Sequence, residues 1–342
     1  MLKWSLCKIM KNFYYLGIDV SKKKLDLSLR HHNSVVMETT VSNDCVRIIS
    51  VIEEWLENLG IDSEDLIICA EHTGQYTYCL CRACHSRGWR LWLENPMQIK
   101  SVLRMSRGKN DRVDARRIAE YADRYADKMR LYRLPIHEIE ELRSLNSLRD
   151  LVKSHCSTYV KQLGDQKDFK SPDIFKMQSR LSQRLIKAFE RCLEEIETRM
   201  RRIINDNDCL RHQMMLLQSV EGVGEVTAWK TIVATEAFTK FQNARQFNCY
   251  IGTAPFAYTS GSSLNSKARV SHKANKEMKA ILHMAAVSIT SRKTGELKAY
   301  YDRKVAQGKN RMSVINALRA KIVARMFAVI KNDRIYQPIL SK

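Results

Sequence analysis

No apolar run in this chain of 342 residues reaches the roughly 18 residues that a membrane-crossing helix needs, because charges interrupt each one. The opening MLKWSLCKIMKNFYYLGID turns straight into a strand pattern and shows no signal peptide. A second pair of zinc ligands is also missing: Cys79, Cys81, Cys84 and His85 cluster, yet nothing follows them at finger spacing. They fall on an amphipathic helix pattern and are read as buried thiols. The ten cysteines are irregularly spaced, as expected of free thiols in a reducing cytoplasm, so stability must come from buried cores and not from disulfides. Acidic residues are in deficit, 37 Asp+Glu against 58 Lys+Arg, for a formal charge of +21. Such a chain repels itself unless a polyanion is its neighbour, which points to nucleic acid and away from a membrane. The basic residues recur in every segment, as on a surface that wraps its partner.

What is present falls into three parts. In YYLGIDVSKKKLDLSL (14–29) a strand ends near Asp19 and, after a polar turn, a second alternates Leu25, Leu27 and Leu29. A helix from Val46 to Leu59, a buried strand ending at Glu71, a helix over 75–87, the strand WRLWLENP and the helix DRVDARRIAEYADRYA follow. Strands alternating with helices after a hairpin predict an α/β domain with a mixed sheet over 1–135. Residues 136–208 are purely helical, with apolar stripes Leu142, Leu145, Leu148, Leu151, Val152 and Leu181, Leu185, Phe189, Leu193, Ile196, Met200, Ile203 on either side of a break at Pro172. They predict a coiled-coil arm. The remainder, 209–342, is predicted to be mainly α. It opens with an apolar helix, a turn at Gly222-Val223-Gly224 and a second apolar helix, resembling a helix-hairpin-helix whose backbone N–H groups face a phosphate. A tight turn between two core helices explains the same residues. Two helices over 275–291 and 311–331 close the chain.

Four carboxylates are placed to converge: Asp19 on the first strand, Glu71 at the end of a buried strand, and Asp111 and Asp114, which share a helical face. Gathered carboxylates repel, and hard divalent cations, Mg²⁺ or Mn²⁺, relieve the repulsion while activating phosphodiester chemistry. Around them run Arg104, Arg107, Lys109, Arg112, Arg116 and Arg117, candidates for clamping phosphates. In the last domain, Tyr258 to Ser263 is a small polar stretch after Pro255, followed by Lys267, Arg269 and Lys273 as further phosphate contacts. Spacing does not choose among Ser260, Ser262 and Ser263 as a nucleophile.

The strings GIDVSKKKLDL, EHTG, K-x-D-x-x-D-A at Lys109–Ala115, G-V-G-E at Gly222–Glu225 and P-x-x-x-x-S-G at Pro255–Gly261 resemble the DEDD transposases of bacterial insertion sequences, a family that includes Piv-type invertases and bridge-RNA-guided recombinases. The resemblance implies a RuvC-like, RNase H-like first domain with Asp19, Glu71, Asp111 and Asp114 as the metal-dependent acidic set, then the arm. It implies a transposase domain in which Ser260, directly before the glycine, forms a covalent phosphoserine with DNA. It further implies donor and target DNA and a structured non-coding RNA as partners, dimers or tetramers as the assembly, and a bacterial cytoplasmic, nucleoid-associated setting. His72, Ala274 and Lys279 depart from the family pattern; none belongs to the catalytic set. Two other readings fit parts of the sequence. One is a RuvC-like junction-resolving nuclease that cleaves with water, and the other a non-catalytic RNA-binding protein, for which four clustered carboxylates would be a liability.

Overall fold

The computed structural model describes residues 13–102, 111–167, 169–260, 264–270 and 274–338. The chain divides into two compact units, Met1–Leu134 and Pro135–Lys342.

The first unit is built on strands β1 (Tyr14–Val20), β2 (Lys24–His31), β3 (Ser34–Ser42), β4 (Leu66–Glu71) and β5 (Arg90–Glu94), with helices α1 (Cys45–Leu59), α2 (Tyr78–Arg87), α3 (Pro96–Val102) and α4 (Asp111–Arg124). The sheet order is β3-β2-β1-β4-β5; β2 is antiparallel to both of its neighbours, while β1, β4 and β5 are parallel. The mixed α/β sheet expected from the sequence is therefore present, with one strand more than the pattern announced. β3 follows a two-residue turn in which His32 and Asn33 have φ of 45° and 64°, the geometry that reverses a hairpin tightly. Its residues are mostly exposed or half-buried, so it carries little of the apolar alternation by which strands are recognised.

Period-two alternation divides the sheet's side chains between two cores. Leu16, Ile18 and Val20 join Leu25, Leu27 and Leu29 on the face covered by Ile48, Ile52 and Trp55 of α1 and Leu80 and Cys84 of α2. Cys81 and Cys84 are both buried, and burial pushes the Cys84 thiol above its ordinary range. α1 starts where it does because Asp44 accepts hydrogen bonds from the backbone N–H of Val46 and Arg47 at 3.0 and 3.1 Å. The opposite core holds Cys69, Trp92, Ile118, Tyr121 and Ala122. There α4 lies so close to β1 that a Cβ on Gly17 would stand 2.2 Å from the backbone nitrogen of Ala119 and 2.3 Å from the carbonyl oxygen of Ala115.

The second unit begins with two long helices, α5 (His137–Gln166) and α6 (Pro172–Asp206), with Pro172 in the first turn of the latter. They run antiparallel: Arg199 binds Glu141, Arg149 binds Glu197, and Phe189 stacks against His155. Then come α7 (Asp208–Gln218), α8 (Glu225–Thr235), α9 (Ala244–Tyr250), the strands β6 (Pro255–Ser260) and β7 (Leu264–Val270), and helices α10 (Lys276–Thr290), α11 (Glu296–Ala306) and α12 (Arg311–Asn332). Ile139, Leu142, Ile196, Met200 and Ile203, at the base of the long pair, belong to the same core as Trp229, Phe247, Leu282, Leu318, Ile322 and Met326. Away from that base, Leu181 and Leu185 of α6 are exposed. The stretch from Pro255, which reads as small and polar, contains an antiparallel hairpin, β6–β7. α9 and α11 carry no clear stripe; α11 buries only Leu297. Among the described residues no helix is long and apolar enough to cross a membrane.

Candidate active site

The acidic site follows from the sheet's register. β1 and β4 pair Ile18 with Ala70, so the next residues along these parallel strands, Asp19 and Glu71, stand side by side. Asp19 also lies opposite Asp26 of β2, and Glu71 opposite Glu94 of β5. Residues directly paired across strands share a face, so one transverse row reads Asp26, Asp19, Glu71, Glu94. It lies one row beyond Gly17, Cys69 and Trp92, on the side that α4 covers.

The two outer members are committed to internal donors. Asp26 is only 3% exposed, accepts from Thr40 Oγ1 at 2.6 Å and pairs with Lys24 at 3.1 Å. Glu94 accepts from Trp92 Nε1 at 3.3 Å, Tyr121 OH at 3.2 Å and the backbone N–H of Asn95 at 2.7 Å. Burial and the neighbouring Glu94 raise the Tyr121 phenol well above its usual range, keeping it a donor. Asp19 and Glu71, the pair anticipated from the sequence, occupy the middle of the row.

α4 brings the third acid. Its backbone sits on Gly17, and Arg116 grips both oxygens of Glu38 on β3 while Arg30 of β2 holds Asp123 at 3.0 Å. Burial raises the Glu71 pKa; Lys100 on α3 opposes it, and Asp114 adds a smaller push upwards. Arg117 pairs with Asp114 at 3.1 Å. Asp111 is the first residue of α4, one turn before Asp114; its side chain is outside the described set. Among the described residues, no group of three or more His, Cys, Asp and Glu stands in metal-holding geometry.

Of the predicted phosphate clamps, Arg104, Arg107 and Lys109 lie outside the described residues. Arg112 is exposed and, with Arg116, lowers the pKa of Glu38; Arg116 and Arg117 pair with Glu38 and Asp114. Glu94 escaped the sequence reading, though it ends WRLWLE as Glu71 ends LIICAE, a parallel that could have exposed it.

In the second unit, Ser260 ends β6 and pairs with Leu264 across the hairpin. Lys267 and Arg269 lie on β7. Lys273, like Ser262 and Ser263, is outside the described residues. At the α7–α8 turn Gly222 has φ +85°, and a Cβ there would stand 2.7 Å from Cδ1 of Ile289, so packing against α10 already demands glycine. Gly224 is exposed and caps α8. Glu225 in that helix's first turn is gripped by Arg201 at 2.7 and 2.9 Å.

Two family models match in chain order. One, described as a transposase, covers residues 16–166; the other, the transposase IS116/IS110/IS902 family, covers residues 214–302. Over both stretches the chain is thus similar to IS110-family transposase domains. It is 23% identical to the pilin gene-inverting proteins of Moraxella bovis and Moraxella lacunata over 332 residues, 94% of this chain and 96% of each of those. Over 122 residues, 36% of this chain and 30% of the relative, it is 26% identical to a 43.6 kDa protein of insertion element IS110 from Streptomyces coelicolor. Among solved structures it is similar to Thermus thermophilus RuvC at 15% identity, over 34% of this chain and 96% of that one, with a TM-score of 0.27.

Proposed function

We propose that this protein is a DNA recombinase of an insertion sequence, which cuts and rejoins strands through a phosphoserine at Ser260 with help from a divalent-metal site in its first unit. The observation that carries this reading is the register of β1 on β4, which ends at Ile18 and Ala70 and so sets the next residues, Asp19 and Glu71, at adjacent strand ends, with Asp114 on α4, in a chain of charge +21. Burial, with a smaller contribution from Asp114, opposes ionisation of Glu71, and a hard cation would relieve it. Asp19, Glu71, Asp111 and Asp114 would hold Mg²⁺ or Mn²⁺; the donor set is all oxygen, which fits these ions. Bound there, the metal supplies charge neutralisation for phosphoryl transfer.

In the second unit, Ser260 Oγ attacks phosphorus, and the bond from phosphorus to the leaving strand's sugar oxygen breaks. The serine proton departs to a base, and the leaving oxygen takes up a proton. The phosphoserine ester retains the energy for rejoining when a new strand's hydroxyl displaces Ser260. Lys267, Arg269 and Lys273 offset phosphate charge. The Gly222–Gly224 turn would present α8's backbone to a phosphate, and Arg104, Arg107, Lys109 and Arg112 would contact strands beside the acidic site. The long helical pair acts as a subunit interface in a dimer or tetramer, and a structured non-coding RNA selects donor and target.

A hydrolytic junction resolvase leaves the family match over 214–302 unexplained. Ser260→Ala is expected to bind nucleic acid normally yet form no denaturation-resistant protein–DNA adduct. An undiminished adduct in that variant, or none in the wild type, would overturn the serine mechanism.

A further inference from the structure

Among the described residues of the second unit, three cations are buried: Arg149, Lys230 and Arg319. Two of them have carboxylates. Arg149 pairs with Glu197 at 2.7 Å, and Lys230 with both Asp150 and Glu277. Arg319, on α12, is 7% exposed, and among the described residues its only hydrogen-bonding partner is another basic side chain, His283 of α10. Its Nε has no partner. A buried, unpaired charge is costly, and the ordinary remedy is a counter-charge.

The sequence that follows Thr253 offers no carboxylate up to Lys273. Asn316, one turn before Arg319, donates to the carbonyl oxygen of Thr253 at 3.0 Å, which fastens the start of the β6–β7 segment to α12. From Pro255 to Lys273 that segment contains no aspartate or glutamate, while it contains Lys267, Arg269 and Lys273. The nearby side chains also favour an anion. Arginine can only donate, so Nδ1 of His283 must accept, and the ring is the neutral tautomer with its proton on Nε2. Burial and the adjacent Arg319 hold the imidazole below its ordinary pKa. Lys279, one turn earlier on α10, makes no ion pair among the described residues.

We propose that Arg319, backed by His283, binds a backbone phosphate of the DNA strand handled by the β6–β7 segment. This rests on the reading of the chain as a DNA recombinase. The small exposed fraction restricts the contact to a single oxyanion, and because Nε is sealed from solvent the phosphate would be met by the Nη end of the planar guanidinium.

The test compares the full-length wild type with Arg319→Met and Arg319→Lys. In chloride buffer Arg319→Met is expected to melt at or above the wild type, because it removes an unpaired buried charge. Inorganic phosphate at matched ionic strength should raise the wild-type Tm and leave that of Arg319→Met unmoved. For a DNA duplex of arbitrary sequence, Arg319→Met should weaken binding about five- to tenfold and make the slope of log K against log salt shallower by about 0.9, one phosphate's worth. Arg319→Lys keeps the charge and should keep the slope, so it serves as the folded comparison if the methionine variant misfolds. An unchanged slope and phosphate response in Arg319→Met, or loss of binding to RNA but not to DNA, would overturn the assignment. A wild type with no salt-dependent DNA binding would instead sink the recombinase reading on which it stands.

Discussion

Gly17 and Ala119 are in backbone-to-backbone contact: a Cβ at position 17 would lie 2.2 Å from the Ala119 nitrogen. Nothing at the other side of that contact can swing away, since it is helix backbone. The approach sets how closely Asp114 comes to the strand ends bearing Asp19 and Glu71.

Gly17→Ala is therefore expected to push α4 off the sheet, destabilising the protein by about 1–3 kcal/mol, the usual range for overpacking a filled core. Metal-dependent activity should fall further than stability alone accounts for, because the acids are spread apart. Urea unfolding beside a recombination assay checks both; a variant with unchanged stability would mean that α4 is not seated as described.

The raised pKa of Glu71 carries a sign. A carboxylate whose folded pKa lies above its unfolded value disfavours the folded state once ionised, so removing the charge helps folding at neutral pH. Glu71→Gln should raise Tm in chelator and abolish the stabilisation that Mg²⁺ or Mn²⁺ gives the wild type. Because metal displaces protons, wild-type metal affinity should weaken on acidification at a higher pH than an ordinary glutamate near 4.5 would dictate. Calorimetric metal titrations across the mildly acidic range provide the check. Asp111→Asn should abolish recombination with the fold intact, and full activity of that variant in chelator would remove the metal from the mechanism.

Lys230 is 4% exposed, whereas its partners Asp150 and Glu277 are 34% and 52% exposed. The two sides of this cluster are thus unequal. Lys230→Met leaves carboxylates that water can reach, and is expected to cost about 1–2 kcal/mol. The double change Asp150→Asn, Glu277→Gln strands a buried ammonium and is expected to cost about 3–5 kcal/mol. Although burial alone would raise Glu277, hydrogen bonding and attraction from Lys230 outweigh it, and its pKa is lowered. Its stabilisation is complete above the ordinary value of 4.5 and is lost as pH falls through the lowered one. The acid limb of the stability–pH profile should accordingly be flatter in Lys230→Met, as pH-dependent urea melts would show.

Met200 has no exposure and lies in the second unit's own core, while Leu181 and Leu185 are exposed. A lysine at 200 should therefore lower Tm sharply. Leu181→Glu with Leu185→Glu should leave Tm nearly unchanged and shift the molecular mass by light scattering towards smaller species. An unchanged mass would take these residues out of any subunit interface.

Much of the architecture was legible where packing repeats a simple period. Leu25, Leu27 and Leu29 declare a half-buried strand, and Ile315, Leu318, Ile322 and Met326 a buried helical stripe, since burying one face is what such patterns are for. β3 was not legible because it is a largely exposed edge whose partner, β2, pays for its backbone hydrogen bonds whatever its side chains are. α9 and α11 are short and bury few residues, so periodicity has little to act on.

Composition and local pattern were enough to read the basic charge, the alternation of strands and helices and the long helical pair, and to single out Asp19, Glu71, Asp111 and Asp114 as candidates. Which neighbours surround them depends on strand register and helix docking. Register made Asp26 and Glu94 members of the same row and showed them already satisfied, and docking of α4 on Gly17 brought Asp114 to Glu71. It also separated Arg319, buried without a carboxylate, from Arg149 and Lys230, which have theirs. These are matters of long-range pairing: a residue's charge is fixed by its type, but its desolvation and its partners are set by chain segments tens to hundreds of residues away.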